Sequence, residues 1–344
     1  MSNFPSLSDI VYAFENIDSC INTELLKGGK PFFVNSRIEL YTGGFSTVIP
    51  FLNQFGEKIA VKCWIADVGN SKLRCQEISK KLKSLNSEYF VDFEYIENAI
   101  LINNNLEPVL VMDWSDKILL KDFIEYNINN KSVLLQLAES FKKLFHYLHS
   151  ENISHGDLQH ENILVGESGQ IVLIDYDSMY VDTLEGQKDI VKGLPGYQHP
   201  KRNQLEKISS KTDYFSELVI YTSIIVLSYK PEYWHEIKDS MNFIFSKNDF
   251  LDPQNSKIFN DLDSFNNNEI TNLVNIIKYY LSIDDIDKLV PFYEINDKNF
   301  ENIVNKIISK FETPPEIIEN VNLDIFKKNT INDSKNIDSI KSKF

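Results

Sequence analysis

The residues best suited to chemistry lie between Ser154 and Ser178, in the run SHGDLQHENILVGESGQIVLIDYDS. Two short apolar runs, Ile163–Val165 and Ile171–Ile174, flank Gly166–Gln170, a loop of turn-forming residues. β-Branched runs broken by Gly and Ser pair more readily than they continue, which predicts a hairpin. Asp157 and Asn162 precede the first run, and Asp175 directly follows the second. Closing the hairpin joins its two ends, so Asn162 and Asp175 can converge on one point. Hard divalent cations take oxygen ligands, and Mg²⁺ is commonly held by one or two carboxylates plus substrate phosphates. The spacing suggests a metal–phosphate site with Asp157 as a spare carboxylate beside it.

Other segments must position these groups. A short helix is expected near the N-terminus, where Ser6 and Asp9 form a capping-box pattern and Ile10, Val11, Phe14 and Ile17 recur at helical spacing. From Ile38 the pattern turns to strands. A run YTGGFSTV from Tyr41 to Val48 lies between apolar segments, and IAVK follows at Ile59–Lys62. Glycines let backbone amides close over phosphates, although a plain hairpin turn explains the same residues. A lysine inside an apolar strand is costly unless its charge is paired. Residues 70–86 predict a helix capped by Asn70 or Ser71, with Cys75, Ile78, Leu82 and Leu85 on one face. Strands are expected at Phe90–Tyr95, Ala99–Ile102 and Val109–Met112. Ser132–His149 is strongly amphipathic, with Leu134, Leu137, Ala138, Phe141, Leu144, Phe145 and Leu148 in one stripe.

The pair H-G-D-L-Q-H-E-N and I-D-Y-D resembles the HRDLxxxN and DFG motifs of the protein-kinase superfamily, with the Asp-to-Asn spacing intact. IAVK resembles the kinase V-A-I-K strand. The Tyr41–Val48 run resembles the glycine-rich loop, with Gly43 at the middle glycine, Phe45 at the tip, and Tyr41 and Ser46 in place of the outer glycines. Gly196–Pro200 and the segment from Thr212 resemble the end of the activation segment and the start of the central helix. Five motifs occur in the family's order between about residues 36 and 310, and their combination is most similar to bacterial eukaryotic-like Ser/Thr kinases.

The resemblance implies an α+β, two-lobed kinase-like fold, with a small β-rich N-lobe and a larger helical C-lobe. The expected divisions are an N-terminal helical extension at 1–34, the N-lobe at 35–112, the C-lobe at 113–312 and a mobile tail at 313–344. It implies ATP and Mg²⁺ as cofactors and Asp157, Lys62, Asn162 and Asp175 as the catalytic set. Asp157 would be the base and Asn162 and Asp175 would hold the metal. Nucleotide would meet Gly43, Gly44, Phe45, Ser46, Val48, Ala60 and Lys62, with Glu77 as the helical partner of Lys62. Met112 would be the gatekeeper, with Asp113 and Ser115 in the hinge. Asp213 would support the catalytic loop.

Four positions depart from the family pattern. Gly156 replaces the HRD arginine, which implies activity independent of a phosphate bound there. Gln159 replaces a lysine and leaves the acceptor open. Asp177 replaces the DFG glycine, either simply tolerating positive φ or adding a metal ligand. Lys201 replaces the glutamate of A-P-E. HGDL with I-D-x-D is also shared with aminoglycoside- and choline-type small-molecule kinases, and a nucleotide-binding pseudokinase scaffold is the third reading.

Bulk properties exclude several other classes. The 344 residues suffice for two lobes, and 42% hydrophobic with 25% charged residues is ordinary for a soluble globular protein. A formal net charge of −15 argues against nucleic acid as a partner, while the kinase resemblance implies a protein substrate. Cys20, Cys63 and Cys75 show no disulfide or zinc spacing, so a reducing cytoplasm is expected. The acidic N-terminus does not suit a signal peptide, and the longest apolar run, Leu218–Tyr229, is too short to span a bilayer.

Overall fold

The computed structural model describes residues 4–295, so the tail expected at 313–344 and the end of the segment expected at 113–312 lie outside the described residues. Two compact units are present. Among the described residues, one comprises residues 4–123, 147–191 and 206–208, and the other comprises 124–146, 192–205 and 209–295. Lys62, Asp157, Asn162 and Asp175, the expected catalytic set, all fall in the first.

The first unit is built on a six-stranded antiparallel sheet in the order Lys30–Pro31, Ser46–Leu52, Lys58–Trp64, Asn105–Asp113, Phe93–Ile102, with Tyr41–Thr42 pairing against Ser46–Leu52. Its register decides which side chains share a face. Val48 lies opposite Lys62, Lys62 opposite Leu110, and Ala60 opposite Met112. Opposed residues point to the same side and neighbours alternate, so Val48, Ala60, Lys62, Leu110 and Met112 share one face. Ile49, Val61, Cys63 and Val109 occupy the other.

That second face is covered by the helix Leu7–Glu15. Its Ile10, Ala13 and Phe14 join Ile49, Phe51, Val61, Cys63 and Val109 in one apolar cluster. Phe14 meets Phe51 edge-on at 6.2 Å between ring centroids. The helix starts where the sequence signals it: the Ser6 hydroxyl accepts from the Asp9 amide, and the Asp9 carboxylate accepts from the Ser6 amide.

The helix Ser71–Leu85 is capped by Asn70, whose side chain accepts from the Leu73 amide, and buries Arg74, Cys75, Ile78 and Leu82. The strands expected at 90–95 and 99–102 are one strand, Phe93–Ile102, with a register shift between Ile96 and Ile100 where Glu97 and Asn98 interrupt the apolar alternation. A three-stranded sheet pairs Ile163–Val165 with Ile171–Leu173 and with Ile118–Leu119. The helix Lys131–Ser150 buries all seven residues of its expected stripe.

The second unit is helical. Tyr214–Tyr229 is buried along its whole length from Phe215 to Ser228, which explains why its sequence is apolar on every side. Asn268–Leu281 packs against it. The expected α+β class, β-rich early in the chain and helical later, is the one found. Among the described residues no helix is long and apolar enough to cross a membrane.

Candidate active site

The hairpin brings together the ends that the sequence marked. Ile163 pairs with Leu173, and the Ile174 amide donates to the Asn162 carbonyl at 3.0 Å, so Asn162 and Asp175 sit at adjoining strand ends. Asn162 Nδ2 donates to the Asp157 carbonyl at 2.9 Å and to Asp157 Oδ2 at 3.1 Å. The amide nitrogen thereby orients the Asp157 carboxylate, and the Asn162 oxygen stays available as a hard donor. Gln159 acts locally, since its Oε1 accepts from the Glu161 amide at 3.0 Å and caps the short turn His160–Asn162.

His155 is buried beneath this loop. Its Nε2 lies 2.9 Å from the Ile174 carbonyl, which requires that nitrogen to donate, and Nδ1 accepts from the Asp157 amide at 3.4 Å. Burial lowers its pKa, so the neutral ring ties the loop carrying Asp157 to the hairpin. Gly156 has φ +79°, and a Cβ there would stand 2.3 Å from the Ser178 carbonyl oxygen. A side chain cannot fit, because Ser154 and Tyr180 exchange backbone hydrogen bonds at 2.8 and 3.4 Å and pull the two strands of chain together. The missing arginine therefore has a packing cause.

Lys62 is 1% exposed, and its Nζ donates to Asp175 Oδ1 at 2.6 Å and to Asp177 Oδ2 at 2.7 Å. The two carboxylates differ, with Asp175 43% exposed and Asp177 only 11%. Burial opposes the charge on Lys62, but the pair of carboxylates outweighs it and holds the ammonium above the ordinary lysine range. Burial likewise pushes Asp175 up, yet Lys62 prevails and keeps it below the usual carboxylate range. Asp177 is raised, by burial and by the Asp175 charge beside it.

Glu77 is not the partner of Lys62: both ion pairs of the lysine go to Asp175 and Asp177, and Glu77 is half-buried on the helix. The helix offers this segment a cation instead. Arg74 Nε and Nη2 donate to the Asp177 carbonyl at 3.0 and 2.7 Å, and Nη2 also donates to the Met179 carbonyl at 3.0 Å. Between the two aspartates, Tyr176 turns inward. Its hydroxyl donates to the Leu173 carbonyl at 2.7 Å and accepts from the Val91 amide at 2.9 Å, and its ring packs against Phe90 and Phe93.

At the glycine turn, the Gly43 amide donates to the Ser46 carbonyl at 2.9 Å. A Cβ at Gly44 would meet nothing within 4 Å, and one at Gly43 would meet only the Ser46 carbonyl at 3.9 Å. The protein's own packing does not demand these glycines, so the cradle is open to a ligand approaching the backbone. Phe45 is not a loose tip: its carbonyl accepts from the Ile65 and Ala66 amides at 2.8 and 3.2 Å, pinning the turn to the end of the lysine strand. Ser46, Val48, Ala60 and Met112 line the Lys62 side of the sheet by register. Asp113 ends its strand exposed, with its amide donating to the Asp92 carbonyl at 3.0 Å, and the Ser115 hydroxyl accepts from the Lys117 amide at 3.4 Å. Between them, Trp114 carries Lys58 over its ring at 3.7 Å, a contact no motif signalled.

The donor set of the Asp175 carboxylate with the Asn162 side-chain oxygen fits Mg²⁺, a hard cation that keeps several non-protein ligands. Among the described residues no three or more His, Cys, Asp or Glu side chains form a metal cage by themselves. Sequence reasoning missed Arg74 and the bond between Asp177 and the lysine. An arginine adjoining the Cys75–Ile78 stripe and the second acid of DYD were the available signals.

Residues 35–310 match the family model described as the protein kinase domain. The chain is 28% identical over 142 residues to the serine/threonine-protein kinase pakG of Dictyostelium discoideum, covering 40% of this chain and 12% of that protein. It is 24% identical over 208 residues to the serine/threonine-protein kinase fray1 of the same organism, covering 58% and 35%. With the serine/threonine-protein kinase PknD of Protochlamydia amoebophila it shares 26% identity over 126 residues, covering 31% and 13%. The matched stretches thus span about a third or less of these curated relatives' lengths.

Proposed function

Because the chain belongs to the protein kinase family, we propose that it is an ATP- and Mg²⁺-dependent phosphotransferase acting on Ser/Thr hydroxyls of proteins. One observation carries this reading: Lys62, Asp175, Asn162 and Asp157 form a connected set within one unit. Phosphoryl transfer needs little covalent help from a protein and depends on positioning and charge neutralisation, which these four groups supply.

Lys62 binds nucleotide phosphates, with its charge secured by the carboxylates around it. Gly43 and Gly44 leave backbone amides accessible above the phosphates, and Val48, Ala60 and Met112 form the apolar floor for the base, with Asp113 and Ser115 in the hinge. Asp175 and Asn162 hold the metal, which when bound neutralises charge on the phosphate oxygens. Asp157, oriented by the Asn162 amide, positions the acceptor hydroxyl and takes its proton at a carboxylate oxygen. With Gly156 in place of a phosphate-binding arginine, activity does not depend on a phosphorylated activation segment.

A net charge of −15 favours a basic substrate over nucleic acid. Three free cysteines, two of them buried, suit a reducing cytoplasm. The test is transfer of labelled γ-phosphate from Mg-ATP to the protein itself and to a basic carrier protein, comparing wild type with Asp175→Ala. Label on protein that disappears in the variant is the expected result. Label appearing only on small hydroxyl or amine acceptors would replace this reading with a small-molecule kinase. ATP binding without any transfer would replace it with a scaffold.

A further inference from the structure

Lys62 is the most buried charge in the site, and its counter-charges come from one short stretch of chain. Asp175 and Asp177 both bond its ammonium, but they are not equivalent. Asp175 is half-exposed and is the carboxylate proposed above to hold the metal, whereas Asp177 is nearly enclosed. A metal ion drawing on Asp175 competes with Lys62 for that carboxylate. Asp177 is the acid that can stay with the lysine throughout.

The surroundings of Asp177 are built to hold it there. Arg74 fixes its carbonyl with two hydrogen bonds and reaches on to the Met179 carbonyl. Gly156 lacks the side chain that would push Ser178 away, and Ser154 and Tyr180 bridge the same two stretches. These contacts use backbone carbonyls, a glycine and one arginine, and none requires a phosphate. The Ser71–Leu85 helix therefore grips the segment after Asp175 with a cation, while its carboxylate Glu77 stays apart from Lys62.

We propose that Asp177 is the positioning residue of Lys62: it, rather than Glu77, is the carboxylate that holds the lysine for nucleotide phosphates. The nucleotide half of this inference rests on the function proposed above. The Lys62–Asp177 pair does not, and the two are tested separately.

The first experiment is calorimetric titration of the full chain with ADP, in EDTA and again with magnesium. Asp177→Asn weakens ADP about tenfold in both buffers, the loss of one charge-assisted hydrogen bond. Asp177→Glu recovers most of the affinity, and Glu77→Gln changes it less than about twofold. A loss confined to the magnesium buffer would make Asp177 a metal ligand and overturn the inference. So would a loss in Glu77→Gln as large as in Asp177→Asn. The second experiment needs no nucleotide. Melting temperatures of Lys62→Met, Asp177→Asn and the double variant are expected to be non-additive, and additive shifts would refute the pair. Coupled melting with no ADP binding by the wild type would refute the kinase reading and leave the pair intact.

Discussion

The two faces of the N-terminal sheet are made from alternate residues of the same strands, yet they do opposite work. On one face Lys62 is surrounded by Asp175 and Asp177, charges that only mutual pairing makes tolerable away from water. On the other, Val61 and Cys63, its immediate neighbours, lie in an apolar cluster under the Leu7–Glu15 helix. The apolar face supplies stability through burial, which is non-directional and forgiving. The charged face requires particular atoms at particular distances. A single strand can serve both because its side-chain period is two, so neither demand compromises the other.

The largest effect expected from breaking this division is on the charged face. Lys62→Met removes the cation proposed above to bind phosphates and is expected to lower phosphate transfer about 10²–10³-fold, by analogy with the loss of other preorganised charge stabilisers. It leaves Asp175 and Asp177 side by side without the ammonium they share, and like charges so placed favour retention of a proton on one of them. Circular dichroism should still show a folded chain. Transfer within tenfold of wild type would mean that Lys62 is a structural charge and that the division is false.

The second effect lies on the opposite face and should invert the pattern. Phe14 is 1% exposed and packs on Phe51. Phe14→Ala is expected to cost about 3–5 kcal/mol of stability, the range for truncating a buried aromatic. Urea unfolding measures the loss. Transfer per folded molecule should remain within about twofold of wild type. A large drop in kcat without a stability change would show that the helix communicates with the site, and the two faces could no longer be treated as separable.

The same division explains which features were legible in the sequence. The hairpin, the Lys131–Ser150 stripe and the helix behind Ser6 follow from periodicity and capping, which are local and therefore written in consecutive residues. Asp157, Asn162 and Asp175 carry fixed spacing, so their convergence was readable too. The partner of Lys62 was not, because an ion pair between residues 62 and 177 leaves no pattern along the chain. Glu77 fits that role only by its position on a helix, and the arginine three residues before it changes the sign of what that helix offers. In the sequence alone, Gly156 reads only as the absence of a phosphate-binding arginine. Beside the Ser178 carbonyl it is the one residue that fits.

The smallest effect concerns two thiols that sample the two faces. Cys63 lies in the apolar cluster, and Cys75 is on the Ser71–Leu85 helix next to Arg74. Burial pushes both thiols up to about 12, with Glu107 adding to the shift at Cys63 and Asp177 at Cys75. Each group is thus neutral in the folded chain over a range where the unfolded chain ionises it. A raised folded pKa gives stability that is intact below about pH 9 and is lost as pH rises toward 12. At pH 10 the loss is about 1.4 kcal/mol per thiol. Cys63→Ala and Cys75→Ala should each flatten that alkaline decline, as followed by urea unfolding at pH 8 and pH 10. Asp177→Asn should ease the shift at Cys75 and leave Cys63 unchanged, which iodoacetamide labelling rates resolve residue by residue. Equal responses at both cysteines would mean that the charge of Asp177 is felt through the sheet. An unequal response, confined to Cys75, follows from the two faces being electrostatically distinct.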